Sequence, residues 1–282
     1  MLALVFLSIG MSGSAEAAPA SIYIASDDEL DSFIATNGWP GDGSEGDPYQ
    51  IYLLNIDATG NGYAIYLTNV HKHLIISDCT LENANHAGIG LNSVSNVTLA
   101  GNTIRNNADL AVEIYSSNNV TLDANDCWNN PLYGFSIRIS SNIEVVANYV
   151  NNSDQGFTVE YVDNSSFSNN IFETMGYSGI YLYYSDNNTF SNNSVRDSWF
   201  GIYLQFSHGN SVDGTMCGYL DYDAIHLYES NHTKVTNSTL AGSNSYAGIY
   251  VGYSSYNLIS NNKILDSTLF MTYYGVCLDV AD

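Results

Sequence analysis

Two apolar residues separated by one intervening residue return along the chain every 22 to 24 residues. They appear as Ile65/Leu67, Ile89/Leu91, Val112/Ile114, Phe135/Ile137, Phe157/Val159, Ile180/Leu182, Ile202/Leu204, Ile225/Leu227 and Ile249/Val251, then after a step of 27 as Val276/Leu278. A fixed period of this size marks a solenoid, in which each repeat buries its apolar face by stacking on its neighbours. Residues 179–200 show one repeat. Ile180 and Leu182 point one way and Tyr181 and Tyr183 the other, the period of two of a strand. Ser185–Asn188 form a polar turn, Thr189–Ser191 a second short strand, Asn192–Asn193 another turn and Ser194–Arg196 a third strand. Three short strands per coil, each paired with its equivalent above and below, predict an all-β parallel β-helix. The helical period of 3.6 is missing.

The second turn carries its own column: Asn102, Asn125, Asn148, Asn170 and Asn193, then Thr215, Ser238 and Asn262. Stacked side-chain amides satisfy one another and the turn backbone, and asparagine tolerates left-handed backbone. Beyond it runs an inward column of Leu81, Ile104, Cys127, Val150, Phe172, Val195, Cys217, Leu240 and Ile264. The expected architecture is a single-stranded β-helix of about ten coils over residues 63–282. A cap and entering segment over 21–62 precedes it, with one short helix at Asp27–Thr36. The chain stops part-way round the tenth coil, which reads as a C-terminally incomplete helix with an anchor or further domain beyond.

The stretch from Gly41 to Ile51 (GDGSEGDPYQI), followed by coils such as GIYLYYSDNNTFSNNSV and GIYVGYSSYNLISNNKI, resembles NosD-type right-handed parallel β-helix proteins over roughly residues 40–280. The resemblance implies an exported or surface protein of a class that overlaps carbohydrate-binding and sugar-hydrolase β-helices. It also puts copper-site maturation among the functions to test, because the family takes its name from a periplasmic protein of that role. It specifies the fold far more narrowly than the activity.

Composition narrows the partners. Lysine and arginine number six against 29 acidic residues, a net charge of −23. Such a surface repels nucleic acid and anionic membranes. Leu2–Ile9 form a short apolar run before Ala15-Glu16-Ala17-Ala18, so residues 1–20 read as a signal peptide, which places the chain in the periplasm, outside the cell or on its surface. Once this leader is cleaved, no remaining segment is long enough to span a membrane. Cys127 and Cys217 share a column four coils apart, roughly 19 Å at one strand spacing per coil, too far to bridge. The cysteines read as small hydrophobes.

Candidate chemistry lies on the outward side of the first strands. Tyr181, Tyr183, Tyr203, Tyr228 and Tyr250 are expected to form an exposed aromatic strip suited to sugar rings, or else a cross-strand stack that only stabilises the sheet. Glu113, Arg138 and Glu160 form a charged cluster on three successive coils, with Arg138 expected to pair with Glu160. As an enzyme site its two carboxylates, roughly 12 Å apart from strand spacing, would exceed the separation used by glycosidases. Asp221, Asp223 and His226 form a second group, read as a Ca²⁺ or general-base site. For copper, His71, His73 and His86 and the pair Met216/Cys217 do not converge in the repeat. The leading reading is a non-catalytic glycan-binding or envelope-structural protein without a cofactor. The alternatives are a polysaccharide lyase or glycoside hydrolase on the same face, and copper-site maturation.

Overall fold

The computed structural model describes residues 20–241, 247–265 and 274–279; the predicted leader lies almost wholly outside them. The chain winds as a parallel β-helix with three faces. The second-face strands form a separate ten-stranded sheet. First and third faces join into one 19-stranded sheet, because Tyr149–Glu160 and Ile171–Tyr183 each run continuously from a third strand into the next first strand. Register follows the sequence repeat: Ile65 pairs with Ile89, Val112 with Phe135, Phe157 with Ile180 and Ile225 with Ile249. The core is correspondingly columnar. Phe135 stacks on Phe157 at 4.8 Å and Phe167 on Phe190 at 4.8 Å, all four rings fully buried.

Stacking starts earlier than the repeat alone indicates. Ile22–Ile24 pairs in register with Ile65–Leu67, and Tyr49–Tyr52 with Leu74–Ser77. Between these first strands lies helix α1 (Asp27–Asn37), as the acidic first turn predicts. Ser26 caps it by accepting the Glu29 amide at 3.2 Å, and Gly38 ends it at φ 66°. Leu30 and Ile34 are buried beneath it. The carboxylate of Asp31 holds Lys72 at 2.6 Å and Tyr49 at 2.7 Å, which ties the helix to the first coils.

The asparagine column is a continuous buried hydrogen-bond chain. Asn102 donates its Nδ2 to Asn125 at 3.0 Å, Asn125 to Asn148 at 2.9 Å, Asn148 to Asn170 at 3.1 Å and Asn170 to Asn193 at 3.0 Å. Each acceptor oxygen also takes a backbone amide of the preceding coil, as in Asn125 N to Asn148 Oδ1 at 2.9 Å. The side-chain ladder stops at Asn193, since the buried Thr215 Oγ1 has no partner among the described residues, and beyond it backbone donors resume: Thr215 N to Ser238 Oγ at 3.2 Å and Ser238 N to Asn262 Oδ1 at 2.9 Å. A serine column at the first turn does the same work, with Ser185 N on Ser207 Oγ and Ser207 N on Ser230 Oγ, each at 3.1 Å. These side chains satisfy corner amides that turn out of both sheets.

A glycine stands before most of the Ile-x-Leu pairs, for a steric reason. A Cβ on Gly156 would lie 2.1 Å from the Phe172 ring and 2.4 Å from the Gly179 carbonyl. At Gly156 the third-face core residue presses on the backbone and leaves no room for a Cβ.

Candidate functional site

The first face carries the exposed chemistry, because its strands put alternate residues outward. Tyrosine suits these half-covered positions by strand propensity. Tyr181, Tyr183, Tyr203, Tyr228 and Tyr250 do lie on this face, but each is half-buried rather than exposed as the repeat suggests. They sit within a wider aromatic network. Tyr181 meets Tyr203 edge-on at 5.4 Å, Tyr203 meets His226 at 4.5 Å, and His226 stacks on Tyr250 at 4.4 Å. Towards the third-face corner Phe200 contacts Tyr203 at 5.2 Å, Tyr222 at 5.3 Å and Tyr177 at 5.4 Å, and Trp199 contacts Tyr222 at 5.8 Å. Burial within this network pushes the Tyr203 phenol up to about 12 and raises Tyr181 as well.

A second column lies at the opposite corner and was not anticipated. Tyr161, Tyr184 and Phe206 follow directly after their first-face strands at φ 55°, 46° and 52°. Tyr161 stacks on Tyr184 at 5.5 Å and Tyr184 on Phe206 at 5.0 Å, and Phe206 meets Tyr228 edge-on at 6.1 Å. The only signal in the sequence is an aromatic recurring two residues after the second apolar position. Trp199, Phe200 and Tyr222 were likewise missed, because Trp199 and Tyr222 precede their strands and Phe200 opens its own, all ahead of the Ile-x-Leu pair.

Asp223 and His226 come together as a pair. His226 Nδ1 lies 2.7 Å from Asp223 Oδ2, and Asp223 Oδ1 accepts the Ala247 amide at 2.8 Å. The carboxylate is buried, with 2 % of Asp223 exposed. A carboxylate accepts and does not donate, so the ring proton sits on Nδ1, and Nε2 of the neutral ring keeps a lone pair. Nε2 makes no hydrogen bond among the described residues. The imidazole lines a cavity of about 600 Å³ with Phe200, Tyr222, Tyr250 and Asp279. Asp221, expected beside them, instead lines a separate depression with Trp199 and Asp197. Of the predicted three-residue group, Asp223 and His226 share one cavity and Asp221 lines another.

The other predicted cluster is rearranged. Arg138 bonds Glu113 at 3.0 Å, and among the described residues no bond joins it to Glu160, its in-register neighbour. Glu113 also accepts Tyr63 Oη at 2.8 Å and faces His86 Nε2 at 3.3 Å, while His86 Nδ1 lies 2.7 Å from Asp109. Burial, together with the Glu113 hydrogen bond, raises the Tyr63 phenol well above its ordinary range. Glu113 is saturated by these partners, which makes the network a clamp across four coils rather than a free acid.

Among the described residues no three His, Cys, Asp or Glu side chains come together around a metal position, for copper or for calcium. Cys79, Cys127 and Cys217 are free and buried, and burial raises their thiols, Cys79 to about 11 and Cys217 to about 12, whereas a metal takes the thiolate. Met216 points outward from the strand that buries Cys217.

Comparison with known proteins agrees with this architecture. Residues 136–276 match the family described as periplasmic copper-binding protein (NosD), and residues 44–175 match the right handed beta helix region. No curated protein is similar in sequence. Among solved structures, the Dettilon tailspike protein is 12 % identical, with 87 % of this chain and 54 % of that chain covered and a TM-score of 0.66. The catalytic unit of a thermostable GH87 alpha-1,3-glucanase from Streptomyces thermodiastaticus strain HF3-3 is 15 % identical, with 79 % and 49 % covered and a TM-score of 0.63. The A-module of an Azotobacter vinelandii mannuronan C-5 epimerase is 15 % identical, with 83 % and 74 % covered and a TM-score of 0.53. The chain spans about half the length of the first two, and at these identities the likeness is one of fold. From the NosD match over half its length, and from the coil architecture that the match describes, the chain belongs to the NosD family of right-handed parallel β-helix proteins.

Proposed function

We propose that this protein is a secreted, periplasmic or cell-surface β-helix that binds polysaccharide along its first face. One observation carries the reading: an unbroken series of ring contacts from Tyr177 and Trp199 through Phe200, Tyr203 and His226 to Tyr250 crosses successive coils beside a 600 Å³ cavity. Aromatic rings offer sugars an apolar face with a polar tip, and their repetition at coil spacing suits a polymer better than a small ligand. Neighbours of the same fold include an alpha-1,3-glucanase and a mannuronan C-5 epimerase, which supports a carbohydrate role. A glycan array followed by titration calorimetry tests it. Trp199→Ala with Tyr222→Ala, both half-exposed, should weaken binding about tenfold or more without unfolding the chain; unchanged affinity would count against the reading.

The Asp223–His226 dyad favours a second reading, a hydrolase or lyase on the same face, with His226 as general base. Release of new reducing ends from a bound polymer, abolished by His226→Ala, would establish it.

A further inference from the structure

The charge layout around the cavity selects among sugars. All six lysines and arginines have described positions, and none lines it. Lys72, Arg105, Arg138 and Arg196 are held by Asp31, Glu82, Glu113 and Glu173, while Lys234 lies in a second-face strand and Lys263 in a third-face strand. The cavity itself carries two carboxylates. Asp223 is buried against His226, and Asp279 accepts Tyr250 Oη at 3.0 Å. Tyr222 and Tyr250 add phenol hydroxyls to the wall, that of Tyr250 turned to Asp279, and in the neutral imidazole, with its proton on Nδ1 facing Asp223, Nε2 is a lone-pair acceptor. Two carboxylates and an imidazole lone pair set among aromatic rings match a ligand that arrives with hydroxyl donors. A ligand carboxylate or sulfate would be desolvated here beside two like charges with no cation to receive it.

Building on the glycan-binding reading, we propose that this cavity is the subsite that sets specificity, that it takes a non-acidic sugar unit through a hydroxyl donated to His226 Nε2, and that it excludes uronic and sulfated sugars. Asp223 is a positioning residue: it acts through the imidazole it orients.

Asp223→Asn makes the idea testable in both directions. The oxygen of the introduced carboxamide keeps the Ala247 amide, so the carboxamide nitrogen faces His226 Nδ1 and moves the ring proton to Nε2. The wall then loses a negative charge and presents a donor. The measurement is calorimetric titration of the whole chain with a neutral glucan, a neutral mannan, chitosan, polygalacturonate and alginate, with thermal unfolding as the folding control. Wild type should bind one of the neutral polymers or chitosan at least tenfold more tightly than either polyuronate. Asp223→Asn should shrink that ratio about tenfold. His226→Phe, which keeps the ring contacts with Tyr203 and Tyr250, should weaken the preferred polymer about tenfold. Tightest binding to a polyuronate overturns this inference and leaves the glycan reading standing. Binding to no polymer overturns both. An unchanged ratio in a folded Asp223→Asn protein, or unchanged affinity in His226→Phe, overturns the assignment of the dyad.

Discussion

Arg138 reaches back one coil to Glu113, at 3.0 Å, although Glu160 stands directly beside it on the next coil. The choice follows from surroundings. Glu113 is largely covered and already accepts Tyr63, so a guanidinium there offsets a desolvated charge. Glu113→Gln should therefore cost about 1–3 kcal/mol, as for loss of a partly buried charged acceptor. Glu160→Gln should stay within about 0.5 kcal/mol. Urea unfolding of the two variants side by side checks the asymmetry.

Asn148 sits mid-ladder, where its Oδ1 accepts both the amide and the side-chain Nδ2 of Asn125, each at 2.9 Å. Asn148→Ala leaves two donors of a fully buried corner without an acceptor, a loss of about 2–6 kcal/mol at about 1–3 kcal/mol each. Ser166→Ala, on an exposed second-face position, should be near neutral. Because coils stabilise one another through nearest neighbours, hydrogen exchange should rise first at Asn125 and Asn170.

Gly156→Ala forces a methyl group to within 2.1 Å of the Phe172 ring and 2.4 Å of a carbonyl oxygen. Overpacking of this kind costs about 1–3 kcal/mol. Gly46→Ala meets open space and should leave the melting temperature unchanged.

The aromatic face also predicts an alkaline transition. Burial disfavours the phenolate of Tyr203, whose pKa is 10.0 when unperturbed and about 12 in the fold. Tyr63 and Tyr181 are shifted the same way. The folded state holds these protons more tightly than the unfolded chain does. Their contribution is therefore complete below pH 10.0 and is lost as pH rises towards about 12. Absorbance of tyrosinate during a pH titration should show a late class of phenols, and thermal stability should fall over the same window. Tyr203→Phe should reduce that fall.

Much of this protein is legible without coordinates. The spacing of the Ile-x-Leu pairs determined the coils, their register and the inward columns, since a period of two within strands and of one coil between them leaves each apolar residue one place to go. The asparagine column and the acidic start of α1 were readable for the same reason: short side chains act on the backbone beside them. The repeat could not say how long side chains resolve equal choices. Arg138 has a carboxylate on either side, and Asp221 and Asp223 occupy one loop. Tyr161, Tyr184 and Phe206 occupy a corner that strand alternation does not describe. Those outcomes depend on desolvation, rotamer and left-handed corner geometry. Tertiary structure alone decided that Asp223 is buried, that His226 turns Nδ1 to it, and that the tyrosines pack into a half-buried network rather than an open strip.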